Sequence, residues 1–141
     1  MKLVSKKDLI FISCIFLAVI VFSLVTGGNT VEVHFGDELM SIEATGFEFN
    51  IAYTDIASTE LTTLPELGTM NKGSDTTSLK CGNWNNAIWG DYHLCVIPNV
   101  DRCVVVTLKD GRNVVFNYKE AENTEGVFSI LQDYMDDLKA E

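Results

Sequence analysis

Three cysteines, two histidines and two tryptophans carry most of the reactive or adhesive chemistry in the polar part of this 141-residue chain. Cys81, Cys95 and Cys103 form no C-x-x-C pair, and His34 and His93 are its only imidazoles. A zinc site needs about four closely spaced donors of these kinds, so no metal is expected. In an oxidising compartment the three thiols predict one disulfide among Cys81, Cys95 and Cys103, with one thiol left over. A free cysteine also serves as a small apolar core residue. Neither histidine has a nucleophile beside it in sequence, and G-x-S-x-G, H-E-x-x-H and a glycine-rich phosphate loop are absent. No catalytic residue and no cofactor is assigned on this basis. An enzyme site assembled only in three dimensions stands as an alternative.

Asp133 and Asp137 stand four apart at the acidic end of the chain. On one helix face they could share a hard cation such as calcium, but no glycine-punctuated ligand loop surrounds them, and they read as a solvated face. Trp84 and Trp89, with asparagines between them, are the candidate partner-binding residues. On a connection they would expose aromatic surface to a partner or to the membrane interface. The competing use of the same pair is to plug the open end of a barrel.

The elements that must position these residues divide into an apolar stretch and a polar domain. Residues 9–25 contain no charge, and thirteen of the seventeen are Leu, Ile, Val or Phe. At about −0.4 kcal/mol each they favour membrane insertion by roughly −5 kcal/mol. As a helix, residues 9–28 would span about 30 Å, the hydrocarbon thickness of a bilayer. The expected organisation is a basic cytoplasmic segment over 1–8, a transmembrane anchor and joint over 9–28, and a soluble domain over 29–141. Lys2, Lys6 and Lys7 precede the run, and no further basic residue occurs until Lys72. The positive-inside rule then keeps the N-terminus cytoplasmic and places the domain outside the cell membrane. The alternative is secretion after signal cleavage, although Val25-Thr26-Gly27 is a poor cleavage site.

From residue 26 onward, seven Lys or Arg face nineteen Asp or Glu, a balance of −12. A field of that sign repels nucleic acid and anionic lipid headgroups, so neither is expected as a partner.

Within the domain, Val31, Val33 and Phe35 alternate with polar neighbours, and Phe47, Phe49, Ile51 and Tyr53 do so more cleanly. Both patterns predict half-buried strands. Further strands are expected over 39–44, 79–84, 91–97, 103–109 and 112–118, with a short edge strand within 54–63 and a loop over 64–78. Asp110-Gly111 predicts a two-residue type I′ hairpin turn. Val127, Ile130, Leu131, Tyr134 and Leu138 recur at helical spacing, and Asn123 or Thr124 can cap that helix. Its apolar stripe must be buried against the β structure.

Several of these segments resemble the bacterial pleckstrin-homology-like domain family of small membrane-anchored proteins. The resemblance rests on Phe49-Asn50-Ile51-Ala52-Tyr53-Thr54-Asp55-Ile56, Asn71-Lys72-Gly73, and Gly82-Asn83-Trp84 with Trp89-Gly90. It extends through residues 104–111, Val115-Phe116-Asn117-Tyr118 and Thr124. It implies a seven-stranded antiparallel barrel or sandwich capped by a C-terminal α-helix, and a non-catalytic, membrane-tethered binding module. The partner it implies is a membrane or surface protein. Lipid-binding relatives gather basic residues in an early hairpin, where this chain has Gly36-Asp37-Glu38. A small-molecule or lipid sensor using the barrel mouth is the alternative.

The charge balance makes a direct prediction. Residues 29–141, as a fragment, should not co-sediment with anionic vesicles at near-neutral pH without divalent ions. Salt-sensitive co-sedimentation would overturn it.

Overall fold

A computed structural model of the chain describes residues 30–140. The expected basic segment and the expected span over 9–28 lie outside them. Among the described residues, no helix is long and apolar enough to cross a membrane.

The described chain forms nine strands and one long helix. They are β1 (Glu32–Phe35), β2 (Leu39–Ala44), β3 (Phe47–Ala52), β4 (Ile56–Thr63), β5 (Thr69–Asp75), β6 (Lys80–Asn86), β7 (Gly90–Val96), β8 (Arg102–Leu108), β9 (Asn113–Phe116) and α1 (Ala121–Ala140). A 3-10 turn, Tyr53–Asp55, joins β3 to β4. Strands β1-β2-β3 form an antiparallel meander, and the other six form one sheet in the order β4-β8-β9-β7-β6-β5.

This arrangement corrects the seven-stranded antiparallel, pleckstrin-homology-like barrel. There are nine described strands in two separate sheets, and β7 pairs with β9 in parallel. The parallel pair arises because β7 and β8 leave a gap one strand wide. β9 turns back from β8 and fills it, antiparallel to β8 and parallel to β7. β5 falls where a loop was expected. Its residues are almost all exposed and show no alternation, so its backbone pairing with β6 makes it a strand.

The alternation in β3 does report burial. Ile51 and Tyr53 are buried and Phe47 and Phe49 partly so, whereas Glu48 and Asn50 are exposed. These residues join Met40 and Ile42 of β2, Cys81, Cys95, Val104, Val106, Val114 and Phe116 of the large sheet, and Leu131 of α1 in one core. The meander and the helix therefore share one face of the large sheet. The opposite face carries a second apolar layer of Trp84, Tyr92, Leu94, Val96, Cys103, Val105 and Val115, against which Leu64, Leu67 and Trp89 pack.

Tyr134 of α1 stacks between Phe35 at 5.3 Å and Tyr53 at 5.0 Å, tying the helix to the meander. Gln132 donates to Thr59 Oγ1 at 2.6 Å, tying it to β4. The helix begins at Ala121, ahead of the caps expected from Asn123 or Thr124. Thr124 is instead buried, its hydroxyl bonding Glu120 O and accepting from Tyr118 N at 2.9 Å.

The hairpin at Asp110-Gly111 also differs from its expected form. Leu108 N donates to Arg112 O at 2.8 Å, and only Gly111, at φ 91°, takes a left-handed conformation. A type I′ turn would need positive φ at Asp110 too. The Asp110 carboxylate closes the longer turn instead, accepting from Arg112 N at 3.0 Å and Arg112 Nε at 2.7 Å.

Gly73 and Gly82 face each other across β5 and β6, at φ 143° and 116°. A Cβ on Gly82 would lie 2.2 Å from Lys72 O, and one on Gly73 would lie 2.0 Å from Cys81 O. Only glycine lets the two backbones approach this closely.

Leu131→Ala empties a fully buried site and is expected to lower the unfolding free energy by about 2–5 kcal/mol. Asp137→Ala, on the exposed side of the helix, should change it by less than about 0.5 kcal/mol. Urea denaturation of the two variants checks the pair, and a Leu131→Ala midpoint within error of the parent would remove the helix from the core.

Candidate functional site

The two strands of the β6–β7 hairpin carry polar residues at period two on the face that also holds the main core. Asn83 pairs across the ladder with His93, and Asn85 pairs with Asp91. One step inward the same column holds Cys81 opposite Cys95, both fully buried. The column thus passes from dry core to water within three cross-strand pairs.

β5 adds a third contributor. Its register with β6 shifts between Met70 and Lys72, a bulge that leaves Asn71 without a ladder partner. Bulges re-aim side chains, and here Asn71 Nδ2 donates to Asp91 Oδ1 at 3.1 Å, alongside Asn85 Nδ2 at 2.7 Å. Both amides converge on one carboxylate oxygen, and Oδ2 has no partner among the described residues.

His93 Nδ1 lies 2.8 Å from Asn83 Oδ1. An amide oxygen can only accept, so Nδ1 carries the proton and the lone pair on Nε2 is available. Burial depresses the His93 pKa below its ordinary 6.5, and the positive charge of Arg112 depresses it further, with Asp110 opposing. The imidazole is therefore neutral at pH 7. Phe49 of β3 stands over it, with ring centroids 5.1 Å apart. Arg112 reaches the rim from the β8–β9 turn with its Nε already bound to Asp110. Its N–H groups hold the Asp110 carboxyl below the usual carboxylate range.

Asn71, Asn83, Asp91, Tyr92, His93 and Arg112 line an open groove of about 390 Å³. Its donors and acceptors are fixed by one another before any ligand arrives. Chemically, the set can recognise hydrogen-bonding groups. The partner of its single imidazole is an amide rather than a hydroxyl or a thiol.

A second cluster lies on the meander. Glu32 and Glu43 are directly paired across β1 and β2, and His34 Nε2 stands 3.4 Å from Glu32 and 3.5 Å from Glu43. Their three ligand atoms lie within 4.8 Å of one another, all on exposed side chains, and they could hold one divalent cation. Sequence reading, which expected no metal, had no means of seeing this trio because Glu43 joins the other two only through strand register.

Of the tryptophans singled out from sequence, Trp84 lies on β6 at 2% exposure, with its indole N–H donating to Cys81 O at 3.3 Å. It is a core residue of the second apolar layer. Trp89 lies in the β6–β7 turn, half-buried against Tyr92 at 5.0 Å. Of the cysteines, Cys81 and Cys95 come together, and Cys103 lies on the opposite face of the sheet. Asp133 and Asp137 are exposed on α1.

The groove residues Asn71, Asn83, Asp91 and Arg112, and Asn85 that supports Asp91, were not picked out from sequence as site residues. The signal was present for three of them, since Asn83, Asn85 and Asp91 fall with His93 on one face of two strands joined by a turn. Compared with family models, with curated proteins and with solved structures, the chain gives no match in any of the three.

His93 also sets a pH dependence. Its pKa is lower in the folded state, so the unfolded chain binds the proton more tightly. Its favourable contribution is complete above about pH 6.5, the ordinary value, and shrinks as the pH falls below that. Unfolding free energies measured across this range should decline more steeply for the parent than for His93→Gln. Parallel profiles would refute the neutral, partly buried imidazole.

Proposed function

We propose that this chain is a binding module held at a membrane surface, and that the groove over β5, β6 and β7 takes a polar, hydrogen-bonding stretch of a partner protein. The single observation that carries the reading is the fixing of Asp91 by Asn71 and Asn85. Side chains from two strands and a bulge are spent on orienting an exposed carboxylate that the core does not need. A carboxylate oxygen, the Nε2 lone pair of His93 and the remaining N–H groups of Arg112 then face a ligand with little left to reorganise. Preorganisation of that kind lowers the entropic cost of binding. The −12 balance of the polar part supports a partner whose facing surface is neutral or basic. The apolar run over 9–25, with lysines before it, supports placement at the cell membrane with the module outside.

A second reading takes a small polar molecule in the same groove. The volume, about 390 Å³, favours it, since small-ligand sites run from about 300 to 1,000 Å³.

The test compares the full-length parent with Asp91→Ala, Arg112→Ala and the remote Asp137→Ala, each recovered from native membranes with its neighbours after cross-linking. Loss of a charge-assisted hydrogen bond weakens binding by about 1.5–3 kcal/mol, roughly 10- to 100-fold. A partner protein retained by the parent and Asp137→Ala, but lost from the two groove variants, is the expected result. Native mass spectrometry showing a bound small molecule lost in the same variants would favour the second reading. Equal recovery of every neighbour by all four proteins, with no bound small molecule, would sink both.

A further inference from the structure

The structure carries Cys81, Cys95 and Cys103 as buried free thiols. Three pairings are open in sequence, and strand geometry discriminates among them. Cys81 and Cys95 are directly opposite each other in the β6–β7 ladder, both facing the main core, with their sulfurs 2.7 Å apart. Directly opposed residues of an antiparallel pair hold their Cβ atoms about 4.5–5.5 Å apart, and the near end of that range meets the about 3.5–4.5 Å that a disulfide spans. Cys103 sits on β8 among Trp84, Leu94 and Val105 on the other face. Reaching either of the others would require its side chain to pass through the sheet.

We infer that Cys81 and Cys95 are a disulfide site, oxidised as the sheet assembles by thiol–disulfide exchange with a small-molecule or protein disulfide, and that Cys103 remains a thiol. In that exchange the thiolate of one cysteine attacks a sulfur of the oxidant and expels the oxidant's other sulfur as a thiolate. The second cysteine, as thiolate, then attacks the sulfur of its partner in the mixed disulfide and expels the remaining oxidant sulfur. Two protons leave the protein thiols, one intramolecular S–S bond forms, and the oxidant's disulfide becomes two thiols.

The timing follows from burial. In the closed sheet the hydrogen bond with Cys81, then burial, hold the Cys95 thiol protonated, so it is a poor nucleophile there. Exchange therefore belongs to the stage before β6 and β7 are covered. Cys103, pushed up to about 12 mainly by burial, has neither a partner in reach nor a populated thiolate. The bridge would lie one cross-strand step below the Asn83–His93 pair and would lock the floor of the polar groove. The choice of pairing stands on the ladder and does not depend on what the groove binds, whereas its oxidation needs the oxidising compartment that the proposed placement outside the membrane supplies.

The test uses the full-length chain in detergent, unfolded and reduced, then refolded with and without a mixture of oxidised and reduced glutathione. Free thiols are alkylated under denaturing conditions, and the peptides are mapped by mass spectrometry. With the mixture, the Cys81 and Cys95 peptides should be linked and Cys103 alkylated. The linked protein should melt higher than the reduced one by about 5–15 °C, the scale expected for closing a short loop. Cys81→Ala/Cys95→Ala, which removes both thiols of the proposed bridge, should melt at one temperature whether or not glutathione is present. Alkylation of all three of Cys81, Cys95 and Cys103 in protein refolded with the mixture, or any linkage through Cys103, would overturn the assignment. So would a melting temperature that oxidation leaves unchanged.

Discussion

The parallel pairing of β9 with β7 is the interaction on which the rest of the domain depends. Strand β9 has only four residues, yet Val114, Val115 and Phe116 are all at or below 2% exposure. Val114 and Phe116 belong to the core under the meander and helix, and Val115 to the apolar layer on the other face. Without β9 in the gap, β4 and β8 would be separate from β5, β6 and β7, and neither core would close. Parallel strands need a crossover, and here β8 and its two flanking turns provide it.

Asn117 makes that insertion tolerable. It is fully buried at the end of β9, where the ladder runs out and backbone groups of the 97–100 turn would be stranded. Its Oδ1 accepts from Ile97 N at 2.7 Å, while Nδ2 donates to Ile97 O at 3.2 Å and Val100 O at 3.3 Å. Its own N–H reaches Cys95 O at 3.3 Å. A side-chain amide thus continues the peptide ladder around the corner. Among the described residues, no buried side-chain polar atom lacks a partner, which is the condition a dry interior imposes.

The groove follows from the same construction. With β9 in place, the outer pairs of the β6–β7 hairpin and β5 are exposed on the meander side of the sheet, and Phe49 of the meander stands over His93. The side chains on that face turn from cysteine to asparagine, histidine and aspartate as cover runs out. A central strand buried on both faces therefore ends in an edge region with one face half open. The bulge at Asn71 and the facing glycines at 73 and 82 shape that region, one by turning an amide inward and the other by letting β5 lie close.

Local features of this chain were set by its sequence. The alternation of Phe47, Phe49, Ile51 and Tyr53, the apolar stripe through Leu131 and Tyr134, and the turn around Gly111 each express a preference of neighbouring residues, and each is visible over a few positions. Features that depend on register or on strand order were decided only by the tertiary structure. Nothing within 113–116 marks β9 as parallel to β7, because Val-Val-Phe suits either direction of pairing. β5 is a strand because β6 supplies its partners, and Asn71 meets Asp91 only because the bulge turns it. Trp84 is compatible in sequence with either partner-binding surface or a plug, and it is buried because the second apolar layer forms on its side of the sheet. Chain-local physics chooses which residues favour strand or helix, whereas pairing across many residues chooses which side chains meet, and the candidate site consists of such meetings.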